Sequence, residues 1–225
     1  MSDFKVQKPL PYYEQFYNQI KKMIFTGKFK PGERIVETQL AKDFNVSKSP
    51  IREAIRLLEK EGLVHVDEKS RVIVYNPTVR DVEEIYFCRM ALESFATKLA
   101  TEKASEEEIS QLEHILKKTE EAAVKENCQD ELIHLNESFH YMIVEYTKNA
   151  RLKKQIDELN SLVHFCRILN FRGEKRTSII LSQHYDIFEK MKNRDNEGAS
   201  ASMVQHLEHD LAHLKEVLVE EQDYS

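Results

Sequence analysis

The distribution of proline constrains the fold of this chain more than any other sequence feature. All five prolines lie at or before Pro77, and the 148 residues that follow contain none. Those 148 residues hold two glycines, Gly173 and Gly198, and are rich in Leu, Glu, Lys and Ala. Because proline and glycine break helices and the other four favour them, this region is predicted to be almost wholly helical. The chain is therefore predicted to form two domains, residues 1–76 and 77–225. Residues 1–9, at the start of the first domain, are predicted to be a disordered arm.

The charge divides at the same place. Residues 1–76 carry 14 Lys and Arg against 10 Asp and Glu, which gives a net charge of +4. Residues 77–225 carry 19 against 29, which gives −10. The overall charge of −6 therefore conceals a basic N-terminal domain that would attract a polyanion such as DNA.

The N-terminal domain shows the pattern of a winged helix-turn-helix. A polar turn at 45–47 separates two short helical patterns, and two short apolar runs follow them. The second helix has apolar residues at the spacing of a buried face: Ile51, Ala54, Ile55 and Leu58. The predicted elements are, in order, helices 13–26, 37–44 and 47–60 and strands 63–66 and 72–75.

The other face of the second helix is cationic. Its basic residues are spaced by four, so they share one face: Lys48, Arg52, Arg56 and Lys60. Long cations and hydroxyls near a helix N-terminus can contact base edges and phosphates. An isolated basic helix is more often a solvated surface helix, here with Glu53 and Glu59 as ion-pair partners. The neighbouring helix, turn and strands favour the DNA-binding interpretation.

The C-terminal domain is predicted to be an antiparallel bundle of about six helices with room for a ligand, so the chain is mainly α. Thr78 with Asp81 and Ser105 with Glu108 have the spacing of helix-capping residues. The predicted helices are 79–100, 105–126, 129–146, 151–171, 176–192 and 197–219.

Histidines on three of these helices suggest a metal site. Asn136 and His140 are four residues apart on one helix, and His184 and His206 lie on two others. Three imidazoles and one oxygen ligand suit Zn²⁺, Ni²⁺ or Mn²⁺ with open coordination positions. A histidine on an inward helix face is more often a hydrogen-bonded core residue, so the spacing leaves both interpretations open.

The remaining composition indicates a cytoplasmic protein without a membrane segment. Cys88, Cys128 and Cys166 have neither disulfide-framework nor metal-knuckle spacing and are expected to be free thiols. No apolar run approaches the ~20 residues of a membrane span, and the N-terminus has no signal-peptide pattern.

Two segments, PGERI and ETQLAKDFNVSKSPIREAIRLLEKEGLV, make residues 12–75 similar to the DNA-binding domain of the GntR family of bacterial transcription regulators. The resemblance implies that Lys48, Ser49 and Arg52 reach operator DNA, with Arg34 and Thr38 near its backbone or bases. The family usually has Arg where this chain has Lys48. The segment 67–71 lacks the glycine usual at the tip of the wing and carries acids, and Lys69 and Arg71 are its candidate phosphate contacts.

Residues 79–219 resemble the all-helical FCD-type effector domain of the FadR-like branch of this family, through LNESFHYMI, SQHYDIFEKMKNRD and ASMVQHLEH. In metal-containing members, the ligands match Asn136, His140, His184 and His206. The resemblance also implies that Arg89, in YFCRMALE, holds an effector carboxylate. The alternative for Arg89 is an internal salt bridge with Glu93, one helical turn along.

These features predict a bacterial transcription regulator that is not an enzyme. It is expected to repress as a homodimer on double-stranded operator DNA until a small organic acid binds at the metal. One alternative is a metal-free regulator that responds to an acyl thioester. Another is a helical metalloenzyme with a DNA-binding appendage, although no H-E-x-x-H motif or base beside the ligands supports it.

Overall fold

The computed structural model describes residues 10–126, 128–172 and 176–223, and the side chains up to residue 220. The predicted arm at 1–9 and the predicted helix break at Gly173 lie outside the described residues. The chain forms two compact units, Met1–Asn76 and Pro77–Ser225. None of the described helices combines the length and the apolar character that a membrane crossing requires.

The first unit is a winged helix-turn-helix, as predicted. Three helices and a three-stranded antiparallel sheet form it, with the strand order β1-β3-β2. Strand β1 was not predicted, because a strand of two residues shows no alternating pattern; it pairs Arg34 with Ile73 and Ile35 with Val72. The elements are α1 Tyr12–Phe25, β1 Arg34–Ile35, α2 Glu37–Asp43, α3 Lys48–Lys60, β2 Val64–Val66 and β3 Val72–Val74.

The turn between α2 and α3 is fixed by backbone hydrogen bonds. Asn45 adopts φ 52°, a left-handed conformation that asparagine tolerates. The N–H of Val46 donates to the carbonyl of Ala41 at 2.9 Å, and the N–H of Asn45 donates to that of Lys42 at 3.0 Å. This is the Schellman pattern of a helix C-terminus. It ends α2 sharply, so α3 can begin at Lys48 in a new direction.

The apolar face of α3 packs against α1. In α3 the side chains of this face are at most 3% exposed: Ile51, Ala54, Ile55 and Leu58. In α1 the corresponding buried residues are Phe16, Ile20, Met23 and Ile24. Because one face of α3 is buried, its basic face is directed to the solvent.

The second unit is a helical bundle. Both predicted capping boxes are present, Thr78 with Asp81 and Ser105 with Glu108. The helices in the described part of this unit are α4 Val79–Lys103, α5 Glu106–Ala123, α6 Gln129–Tyr146, α7 Ala150–Asp157, α8 Asn160–Asn170, α9 Arg176–Lys192 and α10 Asn196–Asp223.

The bundle has seven described helices rather than about six, because the predicted helix 151–171 is divided into α7 and α8. Helix α7 has no fully buried residue, whereas most of α8 is buried. The two halves of the predicted helix therefore have different surroundings, one at the surface and one in the core. The chain bends at Glu158 and Leu159, where no glycine or proline signals the break.

Helix α4 is the central element of the bundle. It packs against α6, α7, α8, α9 and α10. Its inward face buries Tyr86, Arg89 and Glu93. Its outward face exposes Phe87 and Phe95, at 72% and 55% of their surface. The inward face positions the site described next.

Candidate metal centre and nucleic-acid interface

Helices α6, α9 and α10 bring His140, His184 and His206 together in the core of the second unit. All three side chains are at most 4% exposed, and one nitrogen from each lies within 4.8 Å of the others. The Nε2 atoms of His184 and His206 are 3.3 Å apart. Two nitrogens on a tetrahedral metal, each about 2.05 Å from the ion, are separated by roughly 3.3 Å. The spacing of these two imidazoles therefore fits a shared divalent ion.

Two of the histidine rings are oriented by contacts to the ring nitrogen that faces away from the cluster. Nδ1 of His140 lies 2.7 Å from Oε2 of Glu93, and Nδ1 of His206 lies 2.8 Å from Oε1 of Gln183. Such contacts fix a metal-binding histidine by holding its other ring nitrogen. Nε2 of His140 is buried and has no hydrogen-bond partner among the described residues. Burying a polar nitrogen without a partner costs free energy, and coordination of a metal ion by this nitrogen would supply the missing partner. The residues present thus fit a metal ion.

Burial keeps these imidazoles in the metal-binding form. Burial lowers the pKa of His140 to about 4, although the Glu93 carboxylate opposes the shift. Burial and the neighbouring rings also lower the pKa values of His184 and His206 well below the usual value. The rings are therefore neutral at physiological pH, which leaves lone pairs for a cation.

The fourth ligand implied by the resemblance, Asn136, is 4% exposed and lies on α6 one helical turn before His140. Residues at this spacing share a helix face.

The ring of Phe139 stacks on that of His184 with centroids 4.2 Å apart, which restricts the orientation of this histidine.

Arg89 lies beside this cluster and is 1% exposed. Its Nε donates to Oε1 of Glu93 at 2.7 Å, and its guanidinium lies 4.8 Å from the centre of the Tyr86 ring. Its Nη1 is buried without a partner in the part of the chain that the structure describes. Burial raises the pKa of the Glu93 carboxyl, but the charge of Arg89 and the hydrogen bonds from Arg89 and His140 hold this pKa below its usual range. The salt bridge with Glu93 thus leaves Nη1 of Arg89 as a buried donor that has no acceptor among the described residues.

Three further charged residues of the core were missed in the sequence. Arg167 and Arg176 are at most 6% exposed, and Arg176 donates to Asp210. Oδ2 of Asp210 lies 3.7 Å from Nε2 of His206. The Nε atoms of both arginines are buried with no partner within the described ranges. Asp210, four residues after His206, could have been found from its spacing, whereas arginines in amphipathic helices look like surface residues.

In the first unit, every candidate DNA contact is exposed. Helix α3 presents Lys48, Ser49, Arg52 and Arg56 on the face opposite its buried residues. Arg34 on β1 and Thr38 on α2 are exposed too, as are Lys69 and Arg71 in the turn between β2 and β3. This arrangement provides a cationic surface around α3 that can meet a phosphate backbone.

The exposed Arg52 has a partner that the sequence did not indicate. Its Nε donates to Oε2 of Glu37 on α2 at 3.0 Å, whereas the alternative of a solvated surface helix named Glu53 and Glu59 as ion-pair partners. The Arg52 side chain remains 58% exposed. Glu37 therefore orients the guanidinium at the surface without covering it.

Asp67 organises the turn between β2 and β3, which we call the wing. Its Oδ1 accepts the backbone N–H groups of Lys69 at 3.0 Å and of Arg71 at 2.8 Å. The Arg71 guanidinium contacts its Oδ2 at 2.6 Å and, together with the backbone bonds, lowers the pKa of Asp67. Ser70 takes a positive φ of 56°. The Asp67 carboxylate thus stabilises a turn that lacks glycine, and its salt bridge with Arg71 uses part of the guanidinium of that residue.

The chain is similar to known regulators over nearly its whole length. The model described as "Bacterial regulatory proteins, gntR family" matches residues 12–74, and the FCD domain model matches residues 84–209. The uncharacterized HTH-type transcriptional regulator YdhC of Bacillus subtilis (strain 168) is 50% identical over 220 residues, 98% of each chain. The HTH-type transcriptional repressor RspR of Escherichia coli (strain K12) is 25% identical, over 95% of this chain and 93% of that protein.

A solved structure has the same fold. E. coli McbR/YncC superposes with a TM-score of 0.75 at 22% identity, over 96% of this chain and all of that one. At this identity, the likeness bears on the fold alone.

Proposed function

We propose that this chain, which belongs to the GntR family of bacterial regulatory proteins and carries an FCD domain, represses transcription until a small organic acid binds at a metal in its helical unit. It is a DNA-binding transcription regulator, and its relatives are regulators rather than enzymes. The observation that carries the proposal is the buried cluster of His140, His184 and His206, in which Nε2 of His140 has no described protein partner.

The metal would be held by these three histidines and by Asn136. The neutral imidazoles suit Zn²⁺, Ni²⁺ or Mn²⁺, and such an ion supplies a Lewis-acid centre that attracts a carboxylate. Glu93 and Gln183 hold two of the rings in position from behind.

The effector would be a small acid with more than one carboxylate. The described core around the histidines includes three buried guanidinium groups, on Arg89, Arg167 and Arg176, against the buried carboxylates of Glu93 and Asp210. Each arginine keeps one buried N–H group without a described acceptor. A guanidinium suits a carboxylate, since it offers two parallel donors. The metal and Arg89 would hold one carboxylate, and Arg167 and Arg176 would favour a second.

The response would act through a homodimer. GntR regulators bind operator DNA and commonly dimerise, and the relative RspR is named a repressor. Two recognition helices can read a short inverted repeat when the dimer holds them at the correct spacing. A ligand that binds better to the other arrangement shifts the population away from DNA. The regulator would therefore repress transcription until the acid binds and releases it from the operator.

One experiment tests the metal assignment. After dialysis, elemental mass spectrometry measures the metal content of the purified wild-type protein and of the double variant His140→Ala, His184→Ala. We expect about one ion per wild-type chain and loss of that ion in the variant. A matched double variant, His114→Ala with His134→Ala, removes two exposed histidines and should keep it. Full metal retention in the first variant contradicts the assignment.

A second experiment tests the ligand class against the alternative of an acyl thioester. Melting temperatures are measured with divalent metals, then with small mono-, di- and tricarboxylates, and separately with acyl thioesters. A ligand that binds the folded state raises the melting temperature by mass action. We expect dicarboxylates to act only with the metal present and to release operator DNA. A response to acyl thioesters in metal-free protein would favour the alternative.

A further inference from the structure

Gln183 of α9 links a buried histidine of the candidate metal centre to an exposed histidine of α10. Its Oε1 lies 2.8 Å from Nδ1 of His206, and its Nε2 lies 2.7 Å from Nδ1 of His209. The His206 side chain is 1% exposed, Gln183 is partly exposed, and His209 is exposed. These three side chains, which we call the Gln183 relay, form a continuous hydrogen-bonded path from the core to the surface.

The geometry determines which nitrogen of each ring carries the hydrogen. Nε2 of His206 faces the cluster, 3.3 Å from Nε2 of His184, so it needs a free lone pair to bind an ion. A neutral imidazole then carries its one hydrogen on Nδ1, which donates to the Gln183 carbonyl oxygen. The amide nitrogen of Gln183 is only a donor, so Nδ1 of His209 accepts from it. The hydrogen of the neutral His209 ring therefore lies on Nε2.

The Gln183 amide needs this second partner because its two ends differ. The Glu93 carboxylate, which contacts Nδ1 of His140, has two acceptor oxygens and can accept from that ring in either orientation. A Gln183 amide turned by 180° would place its NH₂ group against the Nδ1–H group of His206. Both histidines would have to change tautomer to accommodate it, and the hydrogen of His206 would then occupy the nitrogen that faces the cluster.

We propose that His209 is a positioning residue for the metal centre, because it orients the Gln183 amide and the amide fixes His206 in the tautomer that presents Nε2 to the ion. The inference rests on the proposed function, since it concerns the same metal site. It goes beyond that function by making the affinity of a buried site depend on an exposed side chain. Removal of an outer hydrogen-bond partner lowers metal affinity by about 10–100-fold.

The first test measures the Zn²⁺ affinity of the full chain by competition with a chromophoric chelator. Gln183→Leu should weaken binding by about 10–100-fold, and His209→Leu by roughly 3- to 10-fold, since it acts one hydrogen bond further from the ion. His114→Leu, which removes an exposed histidine of α5, is the matched control and should bind as the wild type does. Equal affinities of His209→Leu and the wild type overturn the proposal.

A conservative variant separates positioning from a general effect on the helix. In His209→Asn, the Oδ1 atom stands where Nδ1 of the histidine stood and can accept from the Gln183 amide. This variant should therefore keep the wild-type affinity. A purely structural role of His209 would give the opposite order, because asparagine favours a helix less than leucine does. Binding by His209→Asn that is as weak as that of His209→Leu overturns the proposal.

A double variant tests whether the effect of His209 passes through the amide. The carboxylate of Gln183→Glu accepts from His206 in either orientation, so it needs no partner to orient it. Adding His209→Leu to Gln183→Glu should therefore cause no further loss of Zn²⁺ affinity. Coupled residues show such non-additivity, whereas independent ones do not. The same loss in both backgrounds would mean that His209 acts by another route, and it overturns the relay.

The tautomers themselves are measured by nitrogen-15 NMR of histidine-labelled protein, with and without Zn²⁺. The His209 signals are assigned as those that His209→Asn lacks, and those of His206 by His206→Asn. We expect hydrogen on Nδ1 of His206 and on Nε2 of His209 in both forms. Hydrogen on Nδ1 of His209 overturns the proposal. A wild type that binds no metal but shows the expected tautomers contradicts the proposed function and supports the relay.

Discussion

Oε2 of Glu93 lies 2.7 Å from Nδ1 of His140, and the same carboxylate accepts the Nε–H of Arg89 through its other oxygen. One buried side chain therefore joins the candidate metal centre to the candidate effector group. Glu93 is held ionised by these two neighbours, since their attraction outweighs the effect of burial on its pKa. The interaction couples the position of the His140 ring to that of the guanidinium.

Glu93→Gln should weaken metal binding by a factor of about 10–100, because the ring of His140 loses its charged acceptor. The measurement is competition with a chromophoric chelator for Zn²⁺ at fixed pH. Glu107→Gln, an exposed position on α5, is the control and should not change the affinity. An affinity equal to that of the wild type would mean that Glu93 does not position the ring.

Asn136→Asp and Asn136→Ala should change the metal affinity in opposite directions. A carboxylate is a better ligand for a divalent cation than an amide, whereas alanine offers none, so we expect tighter and weaker binding respectively. Titration calorimetry with Zn²⁺, Ni²⁺ and Mn²⁺ would measure both. The same affinity in all three proteins would exclude Asn136 from the coordination shell.

Arg52→Ala should reduce selective operator binding by about 1–3 kcal/mol, or roughly 5- to 150-fold per half-site, because the exposed guanidinium of α3 can read a base edge. Fluorescence anisotropy compares operator DNA with a scrambled duplex of equal length. Arg151→Ala removes an exposed arginine of α7 and should leave both affinities unchanged. If the ratio of the two affinities does not fall in Arg52→Ala, α3 is not the reading helix.

Lys69→Ala should lower the affinity for every duplex by a similar factor, because we expect this exposed lysine of the wing to contact phosphate rather than bases. The dependence of log K on log salt concentration should become less steep by about two, one contact per half-site. Binding measured at four salt concentrations would show this. An unchanged slope would place the wing away from the DNA backbone.

Local sequence signals predicted most of the fold. The two capping boxes, Thr78 with Asp81 and Ser105 with Glu108, act within one helical turn, so their residue types alone predicted where α4 and α5 begin. The bend between α7 and α8 has no such signal, because it follows from which half of the segment the other helices cover. Strand β1 likewise exists only because β3 lies beside it.

The candidate site was only partly predictable, for a related reason. His140, His184 and His206 could be selected because histidine is uncommon and chemically distinctive, and the structure places them together. Arg167 and Arg176 could not be selected, because the position of an arginine in a helical sequence does not indicate whether its side chain is buried or exposed. Only the packing of α8 and α9 against the other helices determines that these guanidinium groups are removed from water.

The two faces of α4 lie on one uninterrupted helix, from Val79 to Lys103. Arg89 on the inward face and Ala91 on the outward face are two residues apart, so neither can be displaced without carrying the other. A substitution that shifts the helix to accommodate a change beside Arg89 would therefore also displace the exposed Phe87 and Phe95 on the opposite face.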